Sequence, residues 1–146
     1  MIKVTSSVFQ AEGAIPSKFS CDGENINPPL MISGVGENVK SLVLIVDDPD
    51  APAGTWTHWL VWNIDPKTKE IKENSVPRGA VLGKTDFGET KYGGPCPPSG
   101  THRYFFRVYA LDTVLTLSQG ASRKDLESAM AGHFIDQGEL MGRYSR

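Results

Sequence analysis

The stretch Tyr92-Gly-Gly-Pro-Cys-Pro-Pro-Ser-Gly-Thr-His-Arg-Tyr104 limits the folds open to this chain more than any other. Proline fixes φ and removes an N–H, and glycine lets backbone approach a neighbour closely. Such a segment is a stiff loop and cannot continue a helix. It runs directly into Phe105-Phe-Arg-Val-Tyr-Ala-Leu111, whose aromatic and β-branched residues predict a buried strand. A rigid loop at a strand's mouth holds polar groups still, and here a hydroxyl, an imidazole, a guanidinium and a phenol arrive together. The plainer alternative is a turn that only joins two strands.

A second apolar run, Ser41-Leu-Val-Leu-Ile-Val-Asp47, has no polar alternation, which predicts a strand buried on both faces. It empties into Asp47-Asp-Pro-Asp-Ala-Pro-Ala-Gly54. Residues 56–64 then alternate, placing Trp56, His58, Leu60, Trp62 and Ile64 on one face. Weaker patterns predict edge strands within residues 1–12 and over Ile15-Pro16 and Lys18–Cys21, the latter an edge because of Pro16, and short strands at Leu30–Ile32, Thr113–Leu117 and Gly138–Tyr144. Lys67 to Glu73 is charged and reads as a solvated segment. Ser122-Arg-Lys-Asp125 resembles a capping box, which predicts one helix over about residues 122–132, stopped by Gly132. With 15 glycines and 10 prolines supplying turns, the pattern predicts one mainly β domain over residues 1–146.

Composition excludes several functions. The net charge is −2 and the basic residues are scattered, so there is no electrostatic footprint for nucleic acid. The longest apolar run is too short to span a bilayer, and the N-terminus lacks the apolar core of a signal peptide, so a cytoplasmic protein is expected. In that compartment Cys21 and Cys96 are expected as free thiols.

If the three strong strands pair, Asp48, Asp50 and His58 meet His102 and Tyr104 on one rim. Imidazole N–H groups, the phenol and loop amides would be donors to an anion, with an aspartate orienting a histidine. Each histidine could equally be a hydrogen-bonded core residue, and the aspartates could simply cap turns. A metal site is disfavoured because His58 and His102 lack short ligand spacing, and no cofactor motif is present. Cys96 with His102 could form a nucleophile–base pair, provided that the thiol pKa is lowered. Asp86-Phe87-Gly88 and His102-Arg103 echo kinase signatures, but in reversed order and without a nucleotide loop.

Asp48-Pro-Asp-Ala-Pro52, Trp56-x-His58, Gly94 to Tyr104 and Tyr109-Ala-Leu-Asp112 together strongly resemble the phosphatidylethanolamine-binding protein (PEBP) family, which includes the Raf kinase inhibitor proteins. Lys84-Thr-Asp-Phe-Gly88, Gly120-Ala-Ser122 and Gly138 to Tyr144 are similar to its bacterial and archaeal branch. The resemblance implies a large central antiparallel β-sheet packed on a smaller sheet, with one or two short helices. It implies a small pocket for phosphate or a phosphorylated head group, formed by Asp48, His58, Pro97, Pro98, His102 and Tyr104, with Trp56, Asp50, Pro52 and Gly100 close by. A rim of neutral donors without an assembled nucleophile makes the expected protein a binder and not an enzyme. It also implies a cis Ala51–Pro52 bond. Relatives regulate kinases or inhibit serine proteases, so a protein partner is expected. For protease inhibition the exposed loop would lie in residues 65–85, around Pro77-Arg78-Gly79. The animal members' C-terminal helix has no counterpart before Arg146, which implies a more open pocket and a possible homodimer contact.

Overall fold

The computed structural model describes residues 1–146. Two antiparallel sheets share a core. The smaller has the order β1 (Lys3–Thr5), β2 (Leu30–Ser33), β5 (Glu70–Ile71). The larger has the order β6 (Val81–Leu82), β4 (Trp56–Ile64), β3 (Ser41–Asp48), β7 (Thr101–Leu111), β8 (Phe134–Ser145).

The unpolarised run at residues 41–48 becomes the central strand of the large sheet, and every one of its residues is buried. Leu42, Leu44 and Val46 face the smaller sheet and join the main core with Phe106, Val108 and Ala110 of β7. Val43 and Ile45 face the other way, into a second core closed by Leu126 and Met130 of the single helix α1 (Arg123–Met130). Burying a side chain of this size stabilises by roughly 1.5–3 kcal/mol. The two-sided burial therefore makes β3 the member around which the sheet is built.

The helix starts and stops for identifiable reasons. Ser122 Oγ accepts from Asp125 N at 3.1 Å, and Gly132 follows the last turn with φ +81°.

Several weaker expectations are corrected. Lys18–Cys21 is not a strand; Ser17–Phe19 forms a single 3₁₀ turn that buries Phe19. Pro16 withholds an N–H there, and Ser20 Oγ bonds back to Ser17 O, which closes the turn. Thr113–Leu117 is irregular, because the Asn63 side chain takes up the Leu115 backbone N–H and C=O. The charged segment at residues 67–73 is not wholly solvated. Ile71 is buried and β5 pairs with β2. The final strand runs from residue 134, well before Gly138, because it follows β7 along its full length.

The alternation along β4 also breaks. Leu60 and Trp62 face the helix-side core, whereas Trp59 and Val61 face the main core. Between Trp59 and Thr57 the register with β3 shifts by one residue. This bulge turns His58 to the side of Tyr104, away from Leu60. A second irregularity, at Asn63 with φ +56°, returns Ile64 to the main core.

Candidate functional site

At one end of the large sheet, β3, β4 and β7 open into a cavity of about 230 Å³. Asp48 from the end of β3, His58 from the β4 bulge, and His102 and Tyr104 from β7 all line it, with Trp56 beside them. The preformed loops close it with Ala51, Pro52, Cys96, Pro97 and Pro98. Of the residues expected at a ligand site, all except Asp50 and Gly100 line this one cavity. Phe87 is an addition. Its ring meets His58 edge-on at 5.2 Å and Trp56 at 5.7 Å. The Lys84–Gly88 motif contains Phe87, but nothing in its local pattern points toward β4.

Asp50 and Gly100 serve the frame. The Asp50 carboxylate accepts from Arg103 Nε, Nη2 and backbone N, each at 2.9 Å, which clamps the 48–54 loop to the start of β7. Arg103 holds the Asp50 carboxyl down to about 2, against an opposing effect of desolvation. Gly100, with φ +75°, exchanges backbone bonds with Arg146 and ends the β7–β8 ladder. The Ala51–Pro52 bond is trans, correcting the cis expectation. Asp48 Oδ1 accepting from Asp50 N at 2.8 Å and Gly54 N bonding to Ala51 O at 3.1 Å shape the turn with the ordinary isomer.

The two histidines are fixed through their Nδ1 atoms. His58 Nδ1–H donates to the Gly93 carbonyl at 2.7 Å, and Gly93 N donates back to His58 O. His102 Nδ1–H donates to Asp48 Oδ2 at 2.7 Å. Neither Nε2 atom has a hydrogen-bond partner in the protein, and both rings line the cavity. Burial pushes the His58 pKa down, so the ring is neutral near pH 7. The Tyr104 ring lies between the two imidazoles, edge-on to His58 and stacked with His102. Its hydroxyl is enclosed and makes no hydrogen bond of good geometry. Burial first, and then the nearby Asp48 charge, push its pKa up and keep the phenol protonated. Trp59 and Trp62 also have unpartnered indole N–H groups, but neither lines this cavity.

The sequence expectation that neutral imidazole N–H groups point at a ligand is therefore corrected. Both N–H groups are consumed by the protein, one by a carbonyl and one by a carboxylate. No cluster of three His, Cys, Asp or Glu side chains is arranged to hold a metal ion.

Free thiols are also corrected: Cys21 and Cys96 form a disulfide. Their loops are also held together by hydrogen bonds. Tyr92 Oη donates to Phe19 O at 2.8 Å, Gly94 N to the Asn25 side chain at 2.8 Å, and Cys21 N to Pro95 O at 3.1 Å. A Cβ on Gly94 would run into the Phe19 carbonyl, so only glycine permits this approach. A disulfide sulfur is not a thiolate nucleophile, which removes the Cys96–His102 pair as catalytic machinery.

Asp47, next to Asp48, faces the opposite side of the sheet. There it is buried and bridged by Arg107 at 3.2 Å and Arg123 at 2.9 Å. Pro77-Arg78-Gly79 lies in a tight turn closed by Ala80 N to Pro77 O at 3.1 Å, between β5 and β6. A larger open groove, of about 860 Å³, lies between residues 31–39 and 66–69, but it contains no histidine, cysteine or tyrosine.

A family model for phosphatidylethanolamine-binding protein matches residues 5–145. The chain belongs to the phosphatidylethanolamine-binding protein family. A UPF0098 protein of Pyrococcus horikoshii is 57% identical over 97% of this chain and 75% of its own length. A UPF0098 protein of Chlamydia trachomatis is 44% identical over 99% of both chains. Among solved structures, a PEBP homologue from Chlamydia trachomatis superposes with a TM-score of 0.95 at 44% identity, covering 99% of this chain and 97% of that one. E. coli YbcL, described as a member of the mammalian PEBP family, superposes with a TM-score of 0.92 at 32% identity, covering 99% of this chain and 98% of that one. These matches agree with the two-sheet, one-helix architecture. No helix is long and apolar enough to cross a membrane.

Proposed function

We propose that this PEBP-family chain is a non-enzymatic binding protein whose cavity takes a small oxyanion, phosphate or a phosphorylated head group, and that the liganded protein regulates or inhibits a protein partner. The observation that carries the reading is Tyr104. A phenol that is 1% exposed and makes no hydrogen bond of good geometry, with the Asp48 carboxylate nearby, lines a cavity together with two histidines whose Nε2 atoms are unpartnered. A buried unpaired hydroxyl costs roughly 1–3 kcal/mol, and a bound oxygen would relieve it. His102 adds a donor whenever it is protonated, because its Nδ1–H is already held by Asp48. The small volume suits one phosphoryl-sized group; whole drug-like ligands occupy roughly 300–1,000 Å³.

The non-enzymatic reading is supported by the lack of an activated nucleophile beside His102. For the protease-inhibitor alternative, Pro77-Arg78-Gly79 lies within the connection over residues 72–80, held in a turn by Ala80 N bonding to Pro77 O.

Isothermal titration with inorganic phosphate and phosphoethanolamine tests the reading. Binding in the micromolar to millimolar range that Tyr104→Phe weakens at least tenfold is expected. No heat from either ligand at millimolar concentration would overturn it.

A further inference from the structure

The protons inside the cavity can be counted. His58 Nδ1 faces a carbonyl oxygen, which only accepts, so Nδ1 carries that ring's proton. The ring is 3% exposed and its burial disfavours a second proton. His58 Nε2 is therefore an unprotonated acceptor on a ring that lines the cavity. His102 Nδ1 faces a carboxylate and also carries its proton, so its Nε2 is a donor only as imidazolium. The Tyr104 hydroxyl can donate one bond and accept others. Asp48, behind His102, only accepts. The remaining lining groups, Ala51, Pro52, Trp56, Phe87 and the 96–98 loop, present no further titratable side chain, since Cys96 is in the disulfide. The Asp50–Arg103 pair is outside the lining and already saturated.

A fully deprotonated oxyanion would bring its own lone pairs against His58 Nε2. A ligand O–H would instead donate to it. We propose that His58 makes the cavity selective for oxyanions that carry a hydroxyl: hydrogen phosphate, dihydrogen phosphate and phosphate monoesters as monoanions, in preference to sulfate and to phosphodiesters. The intact head group of a phospholipid is a diester without an O–H, so it is discriminated against, whereas the corresponding free phosphomonoester is accepted. A site left with an unpaired buried acceptor rejects a ligand that lacks the matching donor far more strongly than a missing methylene is rejected.

This inference rests on the anion-binding reading above, and its test separates the two. Affinities are measured by titration calorimetry at pH 6.5 and constant ionic strength for inorganic phosphate, methyl phosphate, dimethyl phosphate and sulfate. Phosphate and methyl phosphate are expected to bind, with sulfate and dimethyl phosphate at least tenfold weaker. If sulfate or dimethyl phosphate binds within tenfold of phosphate, the selectivity is overturned while the anion pocket stands. If none of the four binds, both fall. His58→Gln places an amide, able to donate, near the Nε2 position, and it should narrow the phosphate-to-sulfate ratio at least threefold; an unchanged ratio in a folded variant overturns the role of His58. Nitrogen-15 NMR of the wild-type ring needs no variant. His58 Nε2 should stay unprotonated, shifted only by accepting a hydrogen bond, when phosphate binds. Conversion of His58 to imidazolium on binding would overturn the proposal.

Discussion

Asp48 at the end of β3 accepts a hydrogen bond from His102 on the neighbouring strand β7, 2.7 Å from carboxylate oxygen to Nδ1. Both side chains are almost fully enclosed. The bond fixes which nitrogen of His102 meets the cavity, and it keeps a negative charge behind the ring. Replacing the carboxylate by an amide, Asp48→Asn, keeps the size but loses the charged acceptor that holds Nδ1–H. We expect phosphate affinity to fall at least tenfold by titration calorimetry, with a stability loss of about 1.5–3 kcal/mol for a charge-assisted bond. Unchanged affinity would show that the pair is structural only.

The adjacent carboxylate gives the contrasting prediction. Asp47 is 1% exposed and pairs with Arg107 and Arg123 on the helix side of the sheet. Asp47→Asn leaves two guanidinium groups without their shared counter-charge. Breaking a fully buried pair costs about 3–5 kcal/mol, and the partial exposure of the arginines reduces this to roughly 2–3 kcal/mol. The expected drop in Tm is on the order of 6–12 °C, at unchanged phosphate affinity. A thermal melt and one titration check both halves.

The opposition of Asp47 and Asp48 follows from strand alternation, because a two-sided apolar strand sends successive residues to opposite faces, but the sequence pattern alone does not say which of the two meets the cavity. The same alternation places Tyr104 and His102, two residues apart, on one side of β7. It failed at β4, where a bulge between Trp59 and Thr57 redirects His58. No local pattern in Trp-Thr-His-Trp announces an extra residue, since the bulge is a property of the pairing with β3. The disulfide was hidden for a related reason. Cys21 and Cys96 are 75 residues apart, and their meeting depends on Gly94 accepting a close approach to Phe19. A compartment argument from two cysteines could not see that geometry. Phe87 was missed because a loop aromatic has no periodicity to place it.

The Cys21–Cys96 bond ties the loop that carries Pro97 and Pro98 to the 3₁₀ turn and closes a long chain segment. Loop-closure entropy for a segment of this length corresponds to about 4 kcal/mol, less whatever the surrounding hydrogen bonds retain. Reduction with a strong phosphine, or Cys96→Ser paired with Cys21→Ser, is expected to lower Tm by several degrees and to weaken phosphate binding. Intact mass with and without alkylation after denaturation reads the bond directly. A protein that alkylates fully without reductant would refute it.

Stability should decline toward acid in two separate windows, each set by a group whose pKa is lowered in the fold. His58 is held neutral by burial, below its ordinary value of 6.5. Below that pH the unfolded chain binds a proton that the folded ring resists, so its contribution is complete above about pH 6.5 and is lost as pH falls through the folded value. Asp50 sits at about 2 against an ordinary 3.8 because of Arg103. Its contribution is complete above about pH 4 and is lost as pH falls toward 2. Arg103 is well exposed, so solvent screening holds that second step below about 1 kcal/mol. Urea unfolding from pH 8 to pH 2 should show the upper decline vanish in His58→Gln and the lower one shrink in Asp50→Asn. Persistence of the upper decline in His58→Gln would mean that it arises from a group other than His58.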